Sequence, residues 1–258
     1  MGSITRLDIV ATVIQSVVII FVIAKSIKLV MNAKTNFLPF FFALAITGYL
    51  LSNLYWIAYD LLKPDTRMPM ACNEVGECAM ILLLCAGLET ELKDKKKIPG
   101  EVAFAVFFMG ANIALWIVWS GEWFQDILFG IPYVYLFWLL IRGLRSRCSM
   151  TSKELWLAAV TSMAVLAMQI PLLMLKGALM EPAKAVCFAV MFALMAWLGI
   201  KSVRDRDFFV SSTFFLWTEL SMFLSPDIYY YIAYFANTVA LMFIYVSMKR
   251  ELDADVLC

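Results

Sequence analysis

A chain of 258 residues that is 63% hydrophobic, with a mean hydropathy of +0.84, carries more apolar surface than a soluble core of this size can hide. A net charge of +1 gives no bulk attraction to nucleic acid, and a chain without histidine has no His-based metal site, no Ser-His or Cys-His nucleophile pair and no imidazole proton shuttle. The composition implies an all-α, polytopic transmembrane bundle forming a single integral membrane domain, 1–258, whose partners are the lipid bilayer and a small-molecule or ion ligand.

About nine apolar stretches, at roughly 20–25 residues each, nearly exhaust the length. The first, 9–30, follows a start too short and polar for a cleavable leader, so it is expected to stay as a helix. The second, 38–62, carries Asn53 past its middle and Tyr59 and Asp60 at its end. The third, 70–88, is the most interrupted, with Asn73, Glu74 and Glu77 inside a lipid-grade sequence. A carboxylate in hydrocarbon costs roughly 2.5–3.5 kcal/mol on insertion scales, so something must compensate for it. Positions 73 and 77 are four apart and 74 and 77 three apart, so all three share a helix face, with Gly76 among them to let another backbone approach.

The fourth and fifth stretches, 102–119 and 124–141, are separated by Ser120-Gly121-Glu122-Trp123. Asn112 lies near the middle of the fourth. The sixth, 155–175, holds Gln169 two residues before Pro171, and the seventh, 183–200, has no central polar group. The eighth, 208–224, is the least apolar; it contains Glu219 and could cross the membrane or re-enter. The ninth, 228–248, begins with Tyr229, Tyr230, Tyr231 and Tyr234, above Asn237.

Charge distribution favours nine crossings. Sixteen of the twenty-one Lys and Arg residues follow odd-numbered stretches, and Arg6, Lys63, Arg67, Lys176 and Lys184 make up the rest. Positive charge marks the cytoplasmic side, which puts the N-terminus outside and the C-terminus inside. On that topology the strongly polar intramembrane groups fall mostly in the outer half. The ends of the third and ninth stretches also resemble one another: Glu91-Leu92 and Glu251-Leu252 each follow a polar residue, Glu77 and Asn237, fourteen positions earlier. Hairpin duplication would produce this, and so would any pair of spans bounded by charges.

These placements predict an acidic cavity in the outer half, enclosed by the second, third, sixth, eighth and ninth spans. Its expected ligand contacts are Asn53, Asp60, Asn73, Glu74, Glu77, Gln169, Glu219, Tyr230, Tyr234 and Asn237. Paired carboxylates in low dielectric share a proton or hold a cation between them, and tyrosine faces beside them suit an amine. Trp116, Trp119 and Trp123 read as an interfacial belt. The six cysteines show no zinc-type spacing, no cofactor motif is present, and there is no P-loop, GxSxG or HExxH. The first expectation is a transporter of a small cationic or amine-bearing solute in the cytoplasmic membrane. A ligand sensor without its own effector domain comes second, and an intramembrane enzyme using carboxylate acid–base chemistry third. Oligomers are compatible with all three.

Overall fold

The computed structural model describes residues 6–32, 37–63, 72–92, 98–174, 180–225 and 227–256. Among these residues the chain is all-helical, with nine helices: α1 (Arg6–Asn32), α2 (Leu38–Leu62), α3 (Cys72–Glu91), α4 (Pro99–Ser120), α5 (Trp123–Ser146), α6 (Ser152–Met174), α7 (Met180–Asp205), α8 (Phe208–Leu224) and α9 (Asp227–Val256). Seven are long and apolar enough to cross a membrane, which makes this a multi-pass integral membrane protein. The other two differ for opposite reasons. α3 carries Glu74, Glu77, Glu89 and Glu91, whereas α8 has only 17 residues, a rise of roughly 25 Å.

Local chemistry sets several boundaries. Pro39 and Pro99 occupy the first turns of α2 and α4, where a missing N–H leaves no helical bond unmade. Gly121 ends α4 in the left-handed region (φ 75°), its N–H donating to Ile117 at 2.9 Å, and the chain turns directly into α5. Asp207 starts α8 by accepting from the Val210 N–H at 2.9 Å and from the Ser149 hydroxyl at 2.7 Å. α5, α7 and α9 extend past their apolar stretches because the charges at those ends are paired. Lys201 bonds both Glu154 and Asp205 at 2.9 Å, and Arg147 bonds both Glu91 and Glu251 at 2.7 Å.

Arg147 therefore joins the ends of the third and ninth stretches that resemble each other in sequence. Burial lowers the pKa of its guanidinium, but the carboxylates of Glu251, Glu91 and Asp207 offset this and hold it above the ordinary value. It also lies over the Phe209 ring, 5.0 Å from the centroid.

Neighbouring helices form a ring in the order α1, α2, α3, α5, α4, α6, α7 and α9, closing back on α1, with α8 inside it against α9, α7 and α5. The loosest joint lies between α4 and α6. Nearly every α8 side chain is buried, which accounts for its composition. A helix shielded from lipid can be short and can keep Ser211, Ser212, Thr218, Glu219 and Ser221 without exposing them to hydrocarbon. It is one continuous helix between α7 and α9, and its bounds match the predicted stretch.

The tightest crossing is α2 on α3. A Cβ added at Gly76 would lie 2.9 Å from the Ser52 Cβ and 3.0 Å from the Gly48 carbonyl oxygen. Small residues on both helices bring the backbones together, as the sequence around Gly76 suggests, and this contact sets Glu77 beside Tyr49, Ser52 and Asn53.

Candidate functional site

A seam of hydrogen bonds crosses the bundle between α1, α2, α8 and α9. Gln15 donates to Asn237 at 3.2 Å and to Thr238 at 3.1 Å, and its own carbonyl oxygen accepts from Asn53 at 2.8 Å. Tyr49 donates to the Asn237 oxygen at 3.3 Å. The Asn237 amide donates to Thr218 at 3.2 Å and to Glu219 at 2.7 Å. Asn237 thus makes every bond its amide can make, two accepted and two donated, and it is completely buried.

On the basic side of this seam the core turns apolar. Ile19, Ile46, Phe215, Leu241 and Ile244 are at most 1% exposed and belong to the continuous hydrophobic core. The next polar contact between α8 and α9, Ser211 with Ser247 at 2.8 Å, lies ten residues along α9 from Asn237, roughly 15 Å away.

On the other side the seam opens into a narrow chamber of about 180 Å³. Glu77, Glu219 and Asn53 line it with Tyr49, Tyr230 and Tyr234. At about 30 Å³ per water it has room for on the order of six waters or a small ammonium group. A wider chamber of about 420 Å³ adjoins it, a volume within the roughly 300–1,000 Å³ of small-molecule pockets. Glu74, Gln125 and Asp126 line the wider chamber with Trp116, Trp119 and Tyr133. Glu77 and Phe223 belong to both.

Gln125 donates to Glu74 at 2.9 Å, and Ser120 donates to Asp126. Three buried polar atoms of residues lining the wider chamber have no hydrogen-bond partner among the described residues: Glu74 Oε2, the Trp116 indole N–H and the Tyr133 hydroxyl. One acceptor and two donors are thus left to be satisfied. Phe223 packs against both aromatic neighbours, 5.0 Å from Trp116 and 6.5 Å from Tyr133 between ring centroids.

The predicted residues divide into four groups. Asn53, Glu77, Glu219, Tyr230 and Tyr234 meet at the narrow chamber, with Asn237 directly behind them. Glu74 joins from the wider one. Gln169 lines neither chamber. It donates to Cys187 Sγ at 3.3 Å and lines a neighbouring pocket of about 320 Å³ with Lys184 and Phe188, which shares Trp119 and Phe223 with the wider chamber; α6 packs on α7 rather than on α3. The expected enclosing helix α6 is replaced by α1, with α4 and α5 walling the wider chamber. The side chains of Asp60 and Asn73 lie outside the described residues.

Sequence reasoning missed Gln15, Tyr49, Gln125, Asp126 and Tyr133. Gln15 had a signal, as a lone amide in the middle of an apolar stretch. Asp126 and Gln125 resemble ordinary residues at a helix start, and only the fold turns them inward. Asn112, by contrast, donates to the Phe108 carbonyl of its own helix at 2.9 Å and takes no part. Among the described residues no group of three or more His, Cys, Asp or Glu is placed to hold a metal ion.

No protein-family model matches this chain, and no curated protein or solved structure matches it either.

Proposed function

We propose that this protein transports a small cationic or amine-bearing solute, which enters through the wider chamber and is held at Glu77. The observation that carries the reading is the shared wall. Glu77 lines both chambers, with Glu74 and Asp126 on one side and Glu219 on the other. A cation moving inward is therefore never far from a carboxylate, and desolvating it is compensated at each step. Trp116, Trp119 and Tyr133 add ring faces that attract an ammonium group. The unpartnered indole and phenol donors suit a solute that also carries an acceptor oxygen.

The chambers face the end of the bundle that is poor in Lys and Arg, which we assign to the outside of the cytoplasmic membrane with the C-terminus inside. Ten acidic residues lie on that side against five basic ones, counting Glu219 with it, so the approach concentrates cations and repels anions. On that assignment the apolar core beneath Asn237 supports reading this as an outward-open arrangement. The ion pairs of Arg147 with Glu91 and Glu251 fasten the opposite end.

The same apolar core favours ligand sensing as the second reading, since a sensor needs no path through the membrane. Flux separates the two. Purified protein in proteoliposomes is offered a panel of labelled primary and quaternary amines under an imposed membrane potential. Accumulation that is lost in Glu77→Gln supports transport. Binding without flux supports the sensor, and chemical conversion of the amine supports an enzyme.

A further inference from the structure

The loose joint between α4 and α6 opens into an apolar cleft of about 540 Å³, whose stripe of α8 lies roughly a third of a turn round that helix from Glu219. Its floor is one stripe of α8: Thr213, Leu216, Trp217 and Leu220 recur at i, i+3, i+4 and i+7. The polar groups that line it are already engaged. Ser162 donates to the Ala158 carbonyl at 2.8 Å and Thr213 to Phe209 at 2.7 Å, each on its own helix, and the Trp217 indole donates to Met191 at 3.1 Å. The interior therefore offers hydrocarbon contacts, and Trp156 at its edge is 72% exposed.

The mouth is different. Glu101 in the first turn of α4 accepts from Arg145 Nε in the last turn of α5, and both residues line the cleft. The second carboxylate oxygen of Glu101 is buried and has no hydrogen-bond partner among the described residues. An ion pair at the rim of a hydrocarbon slot is complementary to an amphiphile with both charges in its headgroup. A phosphate suits the guanidinium, and an N–H-bearing cation suits the second Glu101 oxygen. A choline headgroup has no N–H to give, and a glycerol headgroup has no cation.

We infer that this cleft is a phospholipid site. One acyl chain fills the slot, and a phosphate-plus-primary-ammonium headgroup, the chemistry of phosphatidylethanolamine, rests on Glu101 and Arg145. The depth fits a chain. From Arg145 at the mouth to Phe137 the lining stripe of α5 runs eight residues, roughly 12 Å of helix, most of the roughly 15 Å that one leaflet contributes to the hydrocarbon core. The chain end then touches the helix that carries Glu219.

The test is native mass spectrometry of delipidated protein given an equimolar mixture of phosphatidylethanolamine, phosphatidylglycerol and phosphatidylcholine. The wild type is expected to keep one phosphatidylethanolamine several-fold over the other two. Glu101→Gln should reduce that preference to parity, and Ala159→Phe, which narrows the slot, should lose the bound lipid. The wild-type competition stands by itself should Ala159→Phe fail to fold. Equal retention of the three lipids by the wild type overturns the inference. So does unchanged phosphatidylethanolamine preference in both variants, or a dimer that covers the cleft and binds no lipid there.

Discussion

Asn237 on α9 donates to Glu219 on α8 at 2.7 Å, and this bond sets the direction of the whole seam. With both amide hydrogens given to Glu219 and Thr218, the Asn237 oxygen must accept, and Gln15 and Tyr49 are its donors. Replacing Asn237 by leucine should take one hydrogen bond from each of four buried partners at once. At roughly 1–3 kcal/mol for each group left unsatisfied, and with some of them finding new partners, a loss of about 3 kcal/mol or more is expected. Thermal unfolding in detergent measures it, and Asn112→Leu, which removes one bond to the residue's own helix, should cost clearly less.

Glu77→Gln keeps the side chain's shape and removes its charge, so amine binding should fall at least tenfold while the unfolding temperature changes little. The control is Glu181→Gln, an exposed residue that pairs with Lys184 three positions along the same helix. A surface pair of that kind contributes about 0–1 kcal/mol, and binding should be unaffected. Isothermal titration with the same amine on all three proteins makes the comparison.

The α2–α3 crossing predicts a packing penalty. Gly76→Ala puts a methyl group against Ser52 and the Gly48 carbonyl, and displacing a helix backbone should cost about 1–3 kcal/mol. Because Glu77 moves with that backbone, amine affinity should fall too. Ser52→Gly in the same chain removes the nearest clash and should recover part of both losses.

At the basic end, Arg147→Gln leaves Glu91 and Glu251 without their common cation. Fully buried pairs lose about 3–5 kcal/mol when one partner is removed. These side chains are 13–21% exposed, so about 2 kcal/mol is expected. Denaturation of the purified variant gives the value, and Arg147→Lys should recover less than half, because a single Nζ replaces the two separate guanidinium nitrogens that here reach Glu251 and Glu91 one each.

The proposed orientation makes Cys148 an internal probe, since it is exposed at the basic end after α5. In a variant with the other cysteines replaced, a membrane-impermeant maleimide should label Cys148 only after the cells are opened. Labelling from outside intact cells reverses the topology.

Much of this arrangement was legible in the sequence because the membrane penalises polarity so strongly. An apolar run of some twenty residues has little choice but helix, and α2 and α8 begin and end where the hydropathy pattern predicts. The cost of a lipid-facing carboxylate pointed to Glu77 and Glu219, and both line the narrow chamber. What remained illegible was which helices touch. Gln169 and Asn53 stand in similar settings along their spans, but α6 packs against α7 and α2 against α3. Hydropathy carries depth, not neighbours. The tyrosines behaved likewise: Tyr230 and Tyr234 belonged to a conspicuous run, whereas Tyr49 and Tyr133 stood alone among ordinary aromatics.

The central claim is that the two chambers form a site for amines with Glu77 and Glu74 as counter-charges. Its most direct test is the intrinsic tryptophan fluorescence of the purified protein, to which Trp116 and Trp119 contribute from the chamber wall, titrated with a series of primary and quaternary alkylammonium salts and with carboxylates of matching size. The account predicts a saturable change with at least one amine and none with the carboxylates, lost in both Glu77→Gln and Glu74→Gln. Carboxylates that bind as well as amines, or an amine response unchanged in both variants, would contradict it.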